Sequence, residues 1–173
     1  NKMKIDIFCH IMPPKYLQIL GKKIAPEVLK HLPSSFLPAL GDLGLRFKVM
    51  DHYPDRVEIL TVANPPVETM LQAADAVEAS RRVNDELAEL VDKYQDRFVG
   101  AVACLPMNDV DEALKETDRT IKELNFKGVQ LFTNIMGKPL DSPEFMPLYQ
   151  RMAQLDLPIW IHPFFENIGQ VAQ

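Results

Sequence analysis

Two of the four histidines, His10 and His162, close short apolar runs: Lys4–Phe8 (KIDIF) leads into the first, and Pro158–His162 (PIWIH) ends on the second. Imidazole at a strand end can ligate zinc or a similar divalent metal, or move protons near neutral pH. Taken singly, each reads more readily as a buried histidine with a satisfied hydrogen bond. Their shared position points instead to one common site. His31 and His52 lie in a proline-rich segment and read as structural or exposed. Asn64 and Asn134 also follow apolar runs and are candidates to meet a polar substrate, although loop asparagines more often complete turns. Phe164 and Phe165 are candidates to line a pocket or to pack the core edge. Glu166 reads as part of a solvated loop. Cys9 neighbours His10, but strand alternation turns it to the other face, whereas Asp6 shares the parity of Phe8 and His10 and is expected to face inward with them.

The elements that position these residues follow from periodicity. Five brief apolar runs, at Lys4–Phe8, Val57–Val62, Val99–Cys104, Gly128–Phe132 and Pro158–His162, have the character of strands covered on both faces. Helical stripes separate the later ones. Leu71, Ala74, Leu87, Leu90, Val91 and Tyr94 fall mainly on one face of a long helix. Val110, Ala113, Leu114, Thr117, Ile121 and Leu124 fit the 3.6-residue period closely, with Asn108 or Asp109 as N-cap and Asp111 and Glu112 in the first turn. Ser142-Pro143 opens a third helix, whose inner stripe is Phe145, Leu148, Met152 and Leu155. The last three strands recur about every thirty residues, the length of a βαβ unit, so a parallel sheet with helices outside is expected. Residues 11–55 break this rhythm with a run of prolines and read as an insertion of two short helices and a loop after the first strand.

Because sites in parallel α/β folds form at the C-terminal ends of strands, the residues after each run are where chemistry is sought. The first such turn, Cys9-His10-Ile11-Met12-Pro13-Pro14, has no glycine, which argues against a phosphate or dinucleotide loop. A complete (β/α)8 barrel takes about 250 residues. The chain is therefore expected to form a single partial TIM-barrel domain over residues 1–173, with about five βα units.

Composition bounds the partners. The chain has 173 residues, 47% hydrophobic, which suits one sizeable core, and a formal net charge of −5. With Lys22-Lys23 as its most basic stretch, neither nucleic acid nor an anionic membrane is an expected partner, and no apolar run approaches the length of a membrane span. Two cysteines in apolar surroundings suggest a reducing, cytoplasmic setting rather than a disulfide scaffold.

The segment Gly128–Tyr149 (GVQLFTNIMGKPLDSPEFMPLY), followed by Pro158–Pro163 (PIWIHP), resembles the amidohydrolase-related metal enzymes, and the opening KIDIFCHIMPPKY is similar to their first strand. More narrowly, it looks like the branch that contains aminocarboxymuconate-semialdehyde decarboxylase, the resorcylate-type decarboxylases and related hydrolases. The resemblance runs over nearly the whole chain and implies a metal-centred (β/α)8 barrel. It implies a His-x-His ligand motif at the end of the first strand, which here reads Phe8-Cys9-His10. It also implies that His162 is the fifth-strand ligand. A sixth-strand histidine and an eighth-strand aspartate of that family have no counterpart in these residues. The implied cofactor is a divalent metal, zinc before manganese, with Phe8 in place of one ligand.

These readings lead to two expectations of different class. One is a metal-dependent hydrolase or decarboxylase acting on a carboxylated aromatic or acyl substrate, with metal at His10 and His162 and substrate near Asn64, Asn134 and Phe164, and with the proton-transfer group outside this chain. The other is a metal-free barrel fragment serving as a binding or oligomerisation module. Open sheet edges favour association with a second copy in either case.

Overall fold

A computed structural model describes residues 2–164. Strand β1 (Lys4–Ile11) is followed by helices α1 (Pro14–Lys23), α2 (Pro26–Leu29), α3 (Pro33–Phe36) and α4 (Leu43–Met50), and then by β2 (Arg56–Val62). The remaining elements are α5 (Val67–Met70), α6 (Ala73–Lys93), β3 (Phe98–Ala101), α7 (Val110–Lys122), β4 (Val129–Phe132), α8 (Met146–Leu155) and β5 (Ile159–His162). All strand pairings are parallel, β1 with β2, β2 with β3, and β4 with β5. A parallel bridge between Ala103 and Val129 joins β3 to β4, so the strands run β1-β2-β3-β4-β5 in chain order. A doubly wound sheet would reverse direction at a switch point; this one does not. Its curvature is wide enough for the Trp160 indole on β5 to donate to the Ile7 carbonyl on β1 across 2.7 Å. The fold is an incomplete (β/α)8 barrel, as the alternation of elements predicts.

Two local expectations hold, and the reason for one glycine becomes visible. The carboxylate of Asp109 accepts from the Glu112 amide at 3.0 Å and caps α7, with Asp111 and Glu112 in its first turn. Pro143 opens a 3-10 turn that leads into α8, and Phe145, Leu148 and Met152 are buried beneath it. Gly128 stands immediately before β4, where a Cβ would lie 2.3 Å from the Pro158 carbonyl oxygen, so only glycine lets the two chain segments approach this closely.

Other expectations are corrected. Strand β1 runs to Ile11, so the proline-rich segment begins at Met12, and it holds four α-helices and a 3-10 turn (Pro38–Leu40) rather than two short helices. Within it, α1 packs on α6 as the covering helix of the first βα unit. Pro13 has no side chain to cap α1. Instead Glu86 of α6 accepts the amides of Lys15 and Tyr16 at 3.0 and 2.9 Å. The buried stripe of α6 is Ala76, Ala79, Val83, Leu87 and Leu90, while Ala74 is exposed and Leu71 lies before the helix. A bulge between Asp6 and Cys9 shifts the register of β1. It resets the alternation, so Asp6 turns to Arg56 (2.9 Å) rather than to the imidazoles.

The core lies between β2, β3 and β4 and the helices outside them. One polar knot ties these layers together: buried Asn84 on α6 donates to the Cys104 carbonyl (2.9 Å) and to Glu116 of α7 (2.8 Å), and accepts from the Cys104 amide (2.9 Å). Satisfying every arm of a buried amide in this way holds the end of β3 in one position. Among the described residues, no helix is long and apolar enough to cross a membrane.

Candidate metal centre and adjoining cavity

His10 is the penultimate residue of β1 and His162 ends β5, 152 residues apart in sequence. The curvature of the sheet brings their Nε2 atoms to 3.0 Å. Both rings are half-buried. The other nitrogen of each is already engaged. Thr61 Oγ1 lies 2.8 Å from His10 Nδ1, and the Pro163 carbonyl lies 2.7 Å from His162 Nδ1. A carbonyl can only accept, so His162 Nδ1 carries its hydrogen, and the neutral form of the ring has its lone pair on Nε2, the nitrogen that faces His10. Metal-binding histidines are held in this way, the distal nitrogen tied back and the near one free. Burial, then the neighbouring His162 and the Arg46 guanidinium, push the His10 imidazole down to about 4, so it is neutral at physiological pH.

Two nitrogens on one zinc, each at 2.0–2.1 Å with a tetrahedral angle, would stand roughly 3.3 Å apart. The observed pair is within a few tenths of an ångström of that, so its spacing and its tied-back rings fit a divalent ion. A catalytic zinc site, however, takes three protein ligands, and no group of three or more His, Cys, Asp or Glu side chains suited to a metal occurs among the described residues. Phe8 stands where a third donor would be useful. Its ring centroid is 5.0 Å from that of His10 and 5.7 Å from that of His162. Phe132 adds a second aromatic wall, 5.1 Å from His162.

Arg46 of α4 braces this arrangement from behind. Its guanidinium donates to the His10 carbonyl (2.8 Å) and to Glu58 of β2 (2.6 and 2.9 Å). Sequence reasoning missed Arg46, and no local pattern marks it. Thr61 was also missed, although it pairs with His10 in the strand register, so aligning the two strand ends would have found it.

The expected substrate residues divide. Asn64 Nδ2 lies 3.4 Å from His162 Nδ1, and its Oδ1 is buried without a partner. Asn134 completes a turn: its Oδ1 accepts from the Gly137 amide at 3.0 Å, and its Nδ2 lies 3.4 Å from the Phe164 carbonyl. Phe164 packs edge-on to Phe132 and also lines a cavity of about 640 Å³ with Glu68, Met70, Asn108 and Met136. Cys9 turns away from the imidazoles, toward Arg56, as alternation predicts. Burial raises its thiol to about 12, and it is unreactive as a thiolate. His31 and His52 are exposed. Phe165 and Glu166 lie outside the described residues.

Comparison with known proteins shows the family and agrees with the fold. The family model described as Amidohydrolase matches residues 5–171. The 2-amino-3-carboxymuconate-6-semialdehyde decarboxylase of Dictyostelium discoideum is 32% identical, aligned over 98% of this chain and 51% of its own length. The gamma-resorcylate decarboxylase of a Rhizobium species is 35% identical, over 92% of this chain and 50% of its own. Among solved structures, a dihydroxybenzoic acid decarboxylase from a Polaromonas species, with bound manganese and the inhibitor 2-nitroresorcinol, superposes with a TM-score of 0.75 at 26% identity, covering 99% of this chain and 53% of that one. The chain spans about half the length of the curated relatives it matches.

Proposed function

The chain belongs to the amidohydrolase family, and from that premise we propose that it forms the β1–β5 side of a metal-dependent hydrolase or decarboxylase acting on a carboxylated aromatic or acyl substrate. The observation that carries the reading is the convergence of His10 and His162 Nε2 at 3.0 Å with both distal nitrogens tied back. In this reading the two imidazoles hold a divalent ion, zinc or manganese. The bound ion would polarise the substrate or lower the pKa of a water. His10 and His162 orient through Thr61 and the Pro163 carbonyl. Phe8, Phe132 and Phe164 wall the site against water and strengthen electrostatic interactions there. Asn64, Asn134 and Phe164 line the approach of the substrate. A proton-transfer group is supplied from outside the described residues.

Manganese in a structural relative and the decarboxylase relatives support this assignment. We extend it to a single partial-barrel domain over residues 1–173, a cytoplasmic setting for the two unpaired buried thiols, and self-association through the unpaired edges of β1 and β5. A second reading rests on Phe8: a metal-free module that keeps a pocket and has replaced a ligand with an aromatic plug. Metal content separates the two. After dialysis against zinc or manganese and removal of excess, inductively coupled plasma mass spectrometry should find bound metal that is lost in His10→Ala and in His162→Ala. No bound metal, or equal metal in all three proteins, would leave the metal-free module as the reading.

A further inference from the structure

The cavity of about 640 Å³ is lined mainly by the segment after β2 and by residues after β3, β4 and β5, and neither His10 nor His162 lines it. Its polar lining has one chemical character. Glu68 is 4% exposed and forms no salt bridge among the described residues. Asn108 donates its amide to the Leu71 carbonyl at 3.1 Å, which leaves its Oδ1 buried with no donor. The Thr69 hydroxyl donates to the Pro66 carbonyl at 2.8 Å, so it offers only lone pairs to anything else. Gln72, the remaining polar side chain, is exposed. No lysine, arginine or histidine is among the described residues that line the cavity. The apolar part of the lining includes Met70, Met136 and the Phe164 ring.

A buried carboxyl and a buried acceptor without a donor, beside the exposed Thr69 hydroxyl whose hydrogen is already committed, call for a ligand group that donates. We propose that this cavity is a binding site for a primary ammonium compound of aromatic size, with the cation on Glu68, Asn108 Oδ1 and Thr69 and the apolar body against Met136 and Phe164. An ammonium has three donors and no acceptor, and an aromatic face beside it adds a cation–π contribution. The volume suits a small-molecule ligand. Burial raises the Glu68 carboxyl to about 7, which is the signature of an acid that lacks a cation. The titratable groups that face it, Tyr16 and Cys104, are both held neutral by burial and compete for no cation. The proposal does not depend on the metal assignment above.

The test is isothermal titration at pH 8 with 2-phenylethylammonium chloride, and with benzoate and 2-phenylethanol as the anionic and neutral counterparts. The ammonium compound should bind, and each counterpart should bind at least tenfold more weakly. Glu68→Gln should weaken ammonium binding at least tenfold. Met136→Trp, at a position 52% exposed and therefore tolerant of bulk, should weaken it similarly by filling the cavity, and this variant decides the matter if Glu68→Gln does not fold. Absence of ammonium binding, equal binding of benzoate or 2-phenylethanol, or wild-type affinity in the folded variants would overturn the proposal.

Discussion

Replacing Arg46 with methionine tests whether the proline-rich segment holds the first strand end in place. Arg46 and Glu58 have side chains 9% and 4% exposed and meet at 2.6 Å. Methionine keeps much of the apolar stem but strands the Glu58 carboxylate in the interior. Removing one partner of a buried pair costs about 3–5 kcal/mol, because the other charge stays desolvated. Glu58 retains Arg56 at 3.1 Å, but that guanidinium is 37% exposed and partly screened. The expected loss is therefore at the lower end, about 3 kcal/mol. For a chain of this size that is roughly 6–12 °C in melting temperature. Urea unfolding at pH 7, followed by the fluorescence of Trp160, reads it directly. The double variant Arg46→Met/Glu58→Gln removes the stranded charge and should recover most of the loss. If Arg46→Met falls within about 1 kcal/mol of wild type, or the double variant is no better than the single, the pair does not hold β1 and β2 as argued. In the metal reading, the single variant should also bind metal more weakly, because the His10 carbonyl loses its guanidinium donor.

Two further outcomes follow from the site. Phe8→His places a third imidazole beside rings whose centroids are now 5.0 and 5.7 Å from the phenyl ring; bound zinc measured by mass spectrometry should tighten at least tenfold, and an unchanged affinity would show that Phe8 does not occupy a ligand position. Glu68 has a folded-state pKa raised from 4.5 to about 7 by burial, so its contribution to stability is full below about pH 4.5 and is lost as pH rises through 7. Glu68→Gln has no such loss, so its stability relative to wild type should improve by about 3 kcal/mol between pH 4.5 and pH 8 in urea melts; a pH-independent difference between the two proteins would contradict it.

Much of the scaffold was legible because its signals are local. The α7 stripe, its Asp109 cap and the Pro143 start are written in adjacent residues, and each depends on contacts within one or two turns. The five strands were recognisable as short apolar runs, with ends within a few residues of those observed. The reading failed where a distant group does the local work. Glu86 caps α1 from 70 residues away, so α1 carried no side-chain capping signal of its own. The bulge in β1 overturned the parity argument for Asp6, since a one-residue irregularity changes which face every earlier side chain meets.

The two histidines show the same division. Their type, their places at strand ends and the family resemblance mark them as one candidate centre, and the absence of a glycine-rich first turn directs the reading away from nucleotide chemistry. All of that belongs to the sequence, because residue identity and spacing decide it. Only the tertiary structure decided that their Nε2 atoms meet at 3.0 Å, that Thr61 and the Pro163 carbonyl aim them, that Arg46 braces His10, and that Glu68 faces a cavity without a cation. These depend on how far the sheet curves and on which side chains it excludes from water, and no local pattern encodes either.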